Sequence, residues 1–259
     1  MTIPLTDLAA HLDALLRIED VPDYPNALNG VQVSHRGPVR SIATAVDASA
    51  ATIQGAVAAN ANLLLVHHGL FWGGTQPLIG HRYERIQALL NNDVAVYSAH
   101  LPLDAHDVYG NSRLLAAELG LRVTAGFAQF QGVACGVRGD ADDLRTSELL
   151  SKVDAFAQHH GHRVVASPFS RDRRTRHWAI CSGAGAGAAT LDEASLFGVD
   201  TLIVGEGPHW SAVEAPERGL TIIYAGHYAT EALGVMALGA HLASTFALPH
   251  QFITAPTGL

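Results

Sequence analysis

Three short apolar segments, each leading to a histidine, constrain the fold more than any other feature of this 259-residue chain. They are LLLV before His67, VAVYSA before His100 and TIIYAG before His227. Short apolar runs bounded by turns are typical of buried strands. Because helical stretches separate them, the pattern predicts an α/β fold with largely parallel sheets.

The order of predicted elements divides the chain into three segments. Residues 1–122 and 179–259 each read as strands alternating with helices, which predicts two α/β lobes. The segment 123–178 has a different character and predicts a sheet of its own or an insertion. The two lobes also resemble each other. In each, the last predicted strand leads to a histidine, and a carboxylate follows four residues later: His100 with Asp104, and His227 with Glu231. We interpret this resemblance as a degenerate duplication, with one site in the cleft between the lobes.

Composition excludes several classes of protein. Hydrophobic residues make up 48% of the chain, which is enough for a large core and argues against disorder. The formal net charge of −8 disfavours binding to nucleic acid or to an anionic membrane. Two distant cysteines, no basic leader and no long apolar run predict a cytoplasmic protein that does not enter a membrane.

Histidines and carboxylates fall where a parallel sheet binds its ligands, beyond the carboxyl ends of the strands. The candidate metal ligands are His67, His68, Asp104, His227 and Glu231. Such a mixed nitrogen and oxygen set suits zinc, manganese or iron. It also suits two divalent ions per chain that share a carboxylate and activate a hydroxide for hydrolysis. His100 is the candidate catalytic residue, transferring protons beside the ions.

Each of these features has a simpler interpretation. The pair His159 and His160 reads as a helix C-terminus followed by Gly161, so adjacent histidines alone do not indicate a metal site. His227 with Glu231 could begin a capped helix, and His100 with Asp104 could form a local turn.

Two further segments carry weaker signals. The glycine-rich segment 182–187 could be a tight turn that lets two backbones approach, or could contact a substrate anion. Glu206 and His209 follow the strand TLIV and are expected, at most, to support ligands from behind.

Several motifs together resemble one family. They are NGVQV, LLLVHHGLFW, YSAHLPLDAHDVYGN, SGAGAG, GEGPHW and AGHYATE, and they span nearly the whole chain. In this order they are similar to the Nif-three-like dinuclear metal centre family, whose members include type 2 homologues of GTP cyclohydrolase 1. The chain departs from the family at Glu206, where aspartate is common, and at Trp210, where a second histidine is common.

The resemblance implies roles for named residues. His68 and Asp104 would hold one ion, His67 and His227 the other, and Glu231 would bridge them. His100 would line the site. The resemblance also implies a toroidal homohexamer.

Two classes of function follow. The first is a metal-dependent hydrolase acting on a nucleotide-like or otherwise phosphorylated small molecule. The second is a regulatory or scaffold ring in which the ions are structural or sensory.

Overall fold

A computed structural model describes residues 1–259 and divides them into two compact units. Unit 1 comprises residues 1–106 and 234–255, and unit 2 comprises residues 107–233 and 256–259. These bounds differ from the predicted segments 1–122, 123–178 and 179–259, because the chain returns to unit 1 near its end. The assignment of a metal-binding role to those segments stays a prediction.

Unit 1 contains a five-stranded sheet and a two-stranded sheet. Its elements up to residue 106 are β1 (Ile3–Pro4), α1 (Leu5–Leu16), β2 (Gly30–Val33), β3 (Pro38–Val39), β4 (Ile42–Asp47), α2 (Ala50–Ala58), β5 (Leu63–His68), α3 (His81–Asn91), β6 (Ala95–Ser98) and α4 (Leu101–Asp104).

Unit 2 contains a six-stranded sheet. Its elements are α5 (Asn111–Glu118), β7 (Val123–Phe130), β8 (Val133–Arg145), α6 (Thr146–His159), β9 (Val165–Ala166), β10 (Arg174–Cys181), α7 (Ala188–Leu196), β11 (Thr201–Val204), α8 (His209–Glu217) and β12 (Thr221–Tyr224). The chain then continues through α9 (His227–Phe246) and β13 (His250–Phe252).

The five-stranded sheet of unit 1 has the order β13-β4-β5-β6-β2 and is parallel except at β2. Its inner strands β4, β5 and β6 are buried almost throughout. Strands covered on both faces have continuous apolar runs rather than alternating ones, which is why LLLV was readable as a strand. The carboxyl ends of β5 and β6 lie side by side, with Val66 paired to Ser98.

The sheet of unit 2 is mixed, which corrects the expectation of a largely parallel sheet in each lobe. Its order is β7-β8-β10-β11-β12-β9, and only the β10-β11 and β11-β12 pairs are parallel. The strands of residues 123–178 therefore join this sheet and do not form one of their own. β7 and β8 make a hairpin through Gln131 and Gly132, and antiparallel pairing needs no crossover helix.

Alternation along the strands of unit 2 separates two apolar clusters. Trp178 and Ile203 pack with α5 and α6, whereas Ala179 and Leu202 pack with α7 and α8. Successive side chains of a strand point to opposite faces, so the unit buries both faces of its sheet.

The predicted resemblance between the lobes has a counterpart in the order of elements. Unit 1 runs β4-α2-β5-α3-β6 and unit 2 runs β10-α7-β11-α8-β12, each with three adjacent parallel strands. No helix combines the length and apolar composition that a membrane crossing requires.

Candidate metal centre

Three histidines of unit 1 come together at the carboxyl ends of β5 and β6: His67 and His68 are the last two residues of β5, and His100 follows β6. Ring nitrogens of His67, His68 and His100 all lie within 4.8 Å of one another. His67 is fully buried, and the side chain of His68 is 17% exposed. The sequence placed these residues at strand ends, and the parallel pairing of β5 with β6 brings them together.

The rings of His67 and His68 are held through their Nδ1 atoms. Nδ1 of His67 lies 2.9 Å from the carbonyl oxygen of Ala99, and Nδ1 of His68 lies 2.9 Å from Oδ1 of Asp47. Both partners only accept hydrogen bonds, so each Nδ1 carries the proton. This tautomer makes Nε2 the nitrogen of each ring that could bind a metal, which is the usual arrangement at histidine metal sites.

His100 is held in the same way by Asp23. Nδ1 of His100 lies 2.8 Å from Oδ1 of Asp23, and the other carboxylate oxygen accepts from the backbone N–H of Leu101 and from Asn29. Burial raises the pKa of Asp23, but hydrogen bonds from His100, Asn29 and the backbone of Tyr24, with the charge of His100, bring it below its usual value. Asp23 therefore stays ionised and fixes the imidazole of His100.

Asp104 ends the short helix α4, one turn after His100. Its side chain is 6% exposed, and Oδ2 lies 3.4 Å from Nε2 of His67. A buried carboxylate next to an imidazole nitrogen is a donor pair suited to a divalent cation.

Aromatic rings surround this histidine set. The Trp72 ring packs edge-on against His100, with centroids 4.6 Å apart, and against His68 at 5.9 Å. Tyr24 lies 6.2 Å from His100. The Trp72 ring therefore covers part of the surface of the His68 and His100 imidazoles.

In unit 2, α9 begins at His227, directly after β12 and the turn at Gly226. Glu231 lies one helical turn later, so both side chains lie on the same face of the helix. Nε2 of His227 is 3.1 Å from Oε2 of Glu231, whose side chain is 5% exposed. The predicted pairing of these two residues is therefore present within this unit.

Glu206 contacts the Nδ1 side of the His227 ring, as expected for a residue that supports a ligand. Its Oε1 lies 2.8 Å from Nδ1 of His227. Burial lowers the pKa of His227, but hydrogen bonds and charge from Glu231 and Glu206 outweigh it and raise the pKa to about 9. The two carboxylates thus create a site that favours positive charge. His209, by contrast, begins α8 and is exposed.

The glycine-rich segment makes room for this pair. A Cβ atom at Gly183 would lie 2.1 Å from Oε1 of Glu231 and 3.3 Å from Nε2 of His227. The φ angle of Gly183 is +63°, which side-chain-bearing residues rarely adopt. At Gly205, a Cβ would lie 2.6 Å from the carbonyl oxygen of Gly183. These contacts match the tight-turn interpretation of residues 182–187.

The donors fit a divalent transition metal. Each of the four imidazoles is fixed through Nδ1 by a carbonyl or carboxylate, and Asp104 and Glu231 add buried carboxylate oxygens. Gly183 leaves a space that a side chain would fill next to Glu231 and His227.

The adjacent histidines His159 and His160 lie at the C-terminus of α6, as the simpler interpretation of this pair predicts. The helix ends at His159, and Gly161 follows with a positive φ.

Sequence reasoning missed three supporting residues. Asp47 and Asp23 orient His68 and His100, and Asn29 accepts a hydrogen bond from the backbone N–H of His100. Asn29 opens the NGVQV segment, and Asp47 ends β4, where it pairs with His68. The position of Asp47 at the end of a buried strand was a usable signal.

Comparison with known proteins identifies the family. The model of the Duf34/NIF3 (NGG1p interacting factor 3) family matches residues 3–257. The chain belongs to the DUF34/NIF3 family. Relatives of the family named GTP cyclohydrolase 1 type 2 homolog include a Halobacterium salinarum protein, 40% identical over 98% of this chain and 99% of its own. The Deinococcus radiodurans protein of the same name is 38% identical, and the match covers 98% of this chain and 94% of that protein.

Solved structures give the same result. A protein named ybgI, described as of unknown function, superposes with a TM-score of 0.89 at 33% identity, covering 99% of this chain and 100% of its own. TTHA1606 from Thermus thermophilus superposes with a TM-score of 0.84 at 36% sequence identity, covering 99% of this chain and 100% of that protein. Reduced HcgD from Methanocaldococcus jannaschii, at 20% identity, 98% and 99% coverage and a TM-score of 0.83, shares the DUF34/NIF3 fold.

Proposed function

We propose that this DUF34/NIF3 protein is a metal-dependent hydrolase that acts on a nucleotide-like or phosphorylated small molecule. The observation that carries the proposal is that each of four imidazoles has its Nδ1 atom next to a hydrogen-bond acceptor. Metal-binding histidines usually donate their other ring N–H to such an acceptor, which orients the ring and presents Nε2 to the ion. The names of the relatives make GTP the first substrate to test.

The residues that would hold the ions are His67, His68, Asp104, His227 and Glu231, and the family resemblance implies that Glu231 would be shared by two ions. The grouping of both units' ligands into one centre, and the count of two ions, come from the family resemblance. Two divalent ions at such a site supply Lewis-acid activation of water and charge stabilisation of the reacting oxygen.

The chain's own residues supply the remaining functions. Asp47, Glu206 and the carbonyl of Ala99 hold the ligand rings in place. His100, fixed by Asp23, is positioned to accept or donate a proton at Nε2. Trp72 shields His100 and His68 from solvent on one side.

The test compares the wild type with Glu231→Gln, which keeps the shape of the side chain and removes its charge. Elemental analysis of protein purified without an affinity tag is expected to give two ions per wild-type chain and fewer in the variant. Turnover is measured with GTP and a panel of phosphoesters. Released formate indicates ring opening, and released inorganic phosphate indicates phosphoester cleavage.

The exposed Glu217 provides a matched control, since Glu217→Gln makes the same chemical change at the end of α8. This variant is expected to keep both ions and full turnover. A wild type that binds two ions but is no more active than Glu231→Gln on any substrate would overturn the hydrolase proposal. That outcome would favour a regulatory ring.

Assembly forms a separate part of the proposal. The family resemblance supports a toroidal homohexamer, which light scattering coupled to size-exclusion chromatography tests directly. A mass of six chains is expected, and a monomer would contradict it. The same measurement with a chelator shows whether the ions contribute to assembly.

A further inference from the structure

Unit 1 contains a cavity of about 340 Å³ that none of the proposed ligands lines. This size lies within the range of small-molecule sites, which is about 300–1,000 Å³. Its wall includes Leu70 and Phe71, which follow the His67–His68 pair in the chain by two or three residues. The next residue, Trp72, packs against His68 and His100. One loop therefore borders both the histidine set and the cavity.

Gln32 fixes this loop. Its side-chain oxygen accepts from the backbone N–H of Leu70, and its Nε2 donates to the carbonyl oxygens of Ala27 and Leu28. Gly69 lies so close to Gln32 that a Cβ would meet its Nε2 at 2.1 Å. The cavity wall is thus tied to two segments by hydrogen bonds, which indicates a formed site.

The lining is apolar with a cationic part. Leu28, Phe71, Leu78 and Ile86 contribute apolar surface. Arg82 and Arg85, on the first turns of α3, contribute two guanidinium groups. A cavity with a mostly apolar wall and a few charged groups is the usual form of a small-molecule site.

Neither guanidinium forms an ion pair with a carboxylate. Nη1 of Arg85 donates to the carbonyl oxygen of Ala48 at 3.1 Å, and its Nε is buried without a hydrogen-bond partner. Nη2 of Arg82 lies beside Gly73, where a Cβ would approach it to 2.9 Å. No aspartate or glutamate lines the cavity. An oxyanion in the cavity would therefore meet the two arginines without competition from a carboxylate of the chain.

We propose that this cavity binds the oxyanion-bearing part of a small molecule whose body is apolar or aromatic. Arg82 and Arg85 contact the oxyanion, and Phe71, Leu78 and Ile86 contact the body. Guanidinium groups suit this role because their N–H groups match the geometry of phosphate and carboxylate oxygens. The inference rests on the proposed hydrolase, for which it names the substrate class and the residues that select it.

Calorimetric titration of the full-length, metal-containing protein with phenyl phosphate and with benzoate tests the proposal. Binding of either probe supports an oxyanion site, and the comparison shows which oxyanion is preferred. Arg82→Gln and Arg85→Gln are each expected to weaken binding at least tenfold. Arg36→Gln, an exposed arginine of the same unit, is expected to leave it unchanged. Elemental analysis of each variant shows whether its metal content has changed.

Arg85→Gln also removes the bond to Ala48, so its unfolding midpoint is measured as well. Arg82→Gln, which breaks no hydrogen bond or ion pair found in the structure, keeps the test valid if Arg85→Gln is unstable. Equal binding to the wild type and Arg82→Gln, or loss of binding only in Glu231→Gln, would overturn the proposal. The latter result would place the anion at the metal ligands.

The two proposals fail separately. Arginine-dependent binding without turnover of any substrate would retain the cavity assignment and reject the hydrolase. Turnover that is unaffected by Arg82→Gln, with no binding of either probe, would reject the cavity assignment and retain the hydrolase.

Discussion

The Nδ1 atom of His68 lies 2.9 Å from Oδ1 of Asp47, across the pairing of β4 with β5. Because the two strands are parallel and in register at these residues, the carboxylate supports the imidazole from the neighbouring strand. The contact fixes the tautomer and the direction of the ring.

Asp47→Asn is expected to weaken metal binding by about 10–100-fold, the range found for residues that support metal-binding histidines. The amide keeps the shape of the side chain and loses the negative charge that accepts the hydrogen bond from Nδ1 of His68. Competition with a chromophoric chelator measures the affinity. Asp20→Asn, at an exposed carboxylate of the same unit, should not change it, and equal effects of the two changes would contradict the prediction.

Gly183→Ala is expected to destabilise the protein by about 1–3 kcal/mol, because the left-handed backbone becomes strained and the new Cβ meets Glu231. Metal content should fall as well, since Glu231 must move. Gly187→Ala is the matched control: Gly187 has a negative φ, and a Cβ there meets nothing within 4 Å. Urea unfolding and elemental analysis test both variants, and an unchanged Gly183→Ala protein would refute the assigned role.

Tyr97→Phe is expected to cost about 1.5–3 kcal/mol, the usual contribution of a hydrogen bond to a charged group. The buried hydroxyl of Tyr97 donates to Oδ1 of Asp13 at 2.6 Å. Burial and the hydrogen bond to the Asp13 carboxylate raise the pKa of Tyr97, so the hydroxyl keeps its proton and remains a donor. Tyr83→Phe, at a half-exposed tyrosine, should change stability by less than about 0.5 kcal/mol. Denaturant unfolding compares the two.

His250 is expected to make stability depend on pH. Burial lowers its pKa below the ordinary value of 6.5, so the unfolded chain binds more protons between the two values. The contribution is therefore complete above about pH 6.5 and is lost as the pH falls through the lower pKa.

Measurement of unfolding free energy against pH tests this expectation. The stability advantage of the wild type over His250→Gln should shrink as the pH falls below about 6.5. All other ionisable groups are common to the two proteins, so their effect cancels in the difference. An advantage that stays constant across this range would contradict the role of His250.

Local patterns predicted much of the fold. The apolar runs of β5, β6, β11 and β12 and the helical stretches between them were readable, because buried strands and amphipathic helices differ in period. The helix between β4 and β5 is Ala50–Ala58, and it begins with a capping box between Ser49 and Thr52. The mixed pairing in unit 2 was not readable, since pairing partners depend on contacts between distant segments.

The sequence by itself determined which histidines and carboxylates follow buried strands, because composition and period are local properties. It thereby selected His67, His68, His100, Asp104, His227 and Glu231 from a chain with 15 histidines. Only the tertiary structure decided which acceptor holds each ring. Asp47, Asp23 and Glu206 lie 21, 77 and 21 residues from the histidines they orient. It also decided that Arg82 and Arg85 share a cavity with Phe71 and Leu28, because those contacts depend on how loops fold back and not on any pattern along the chain.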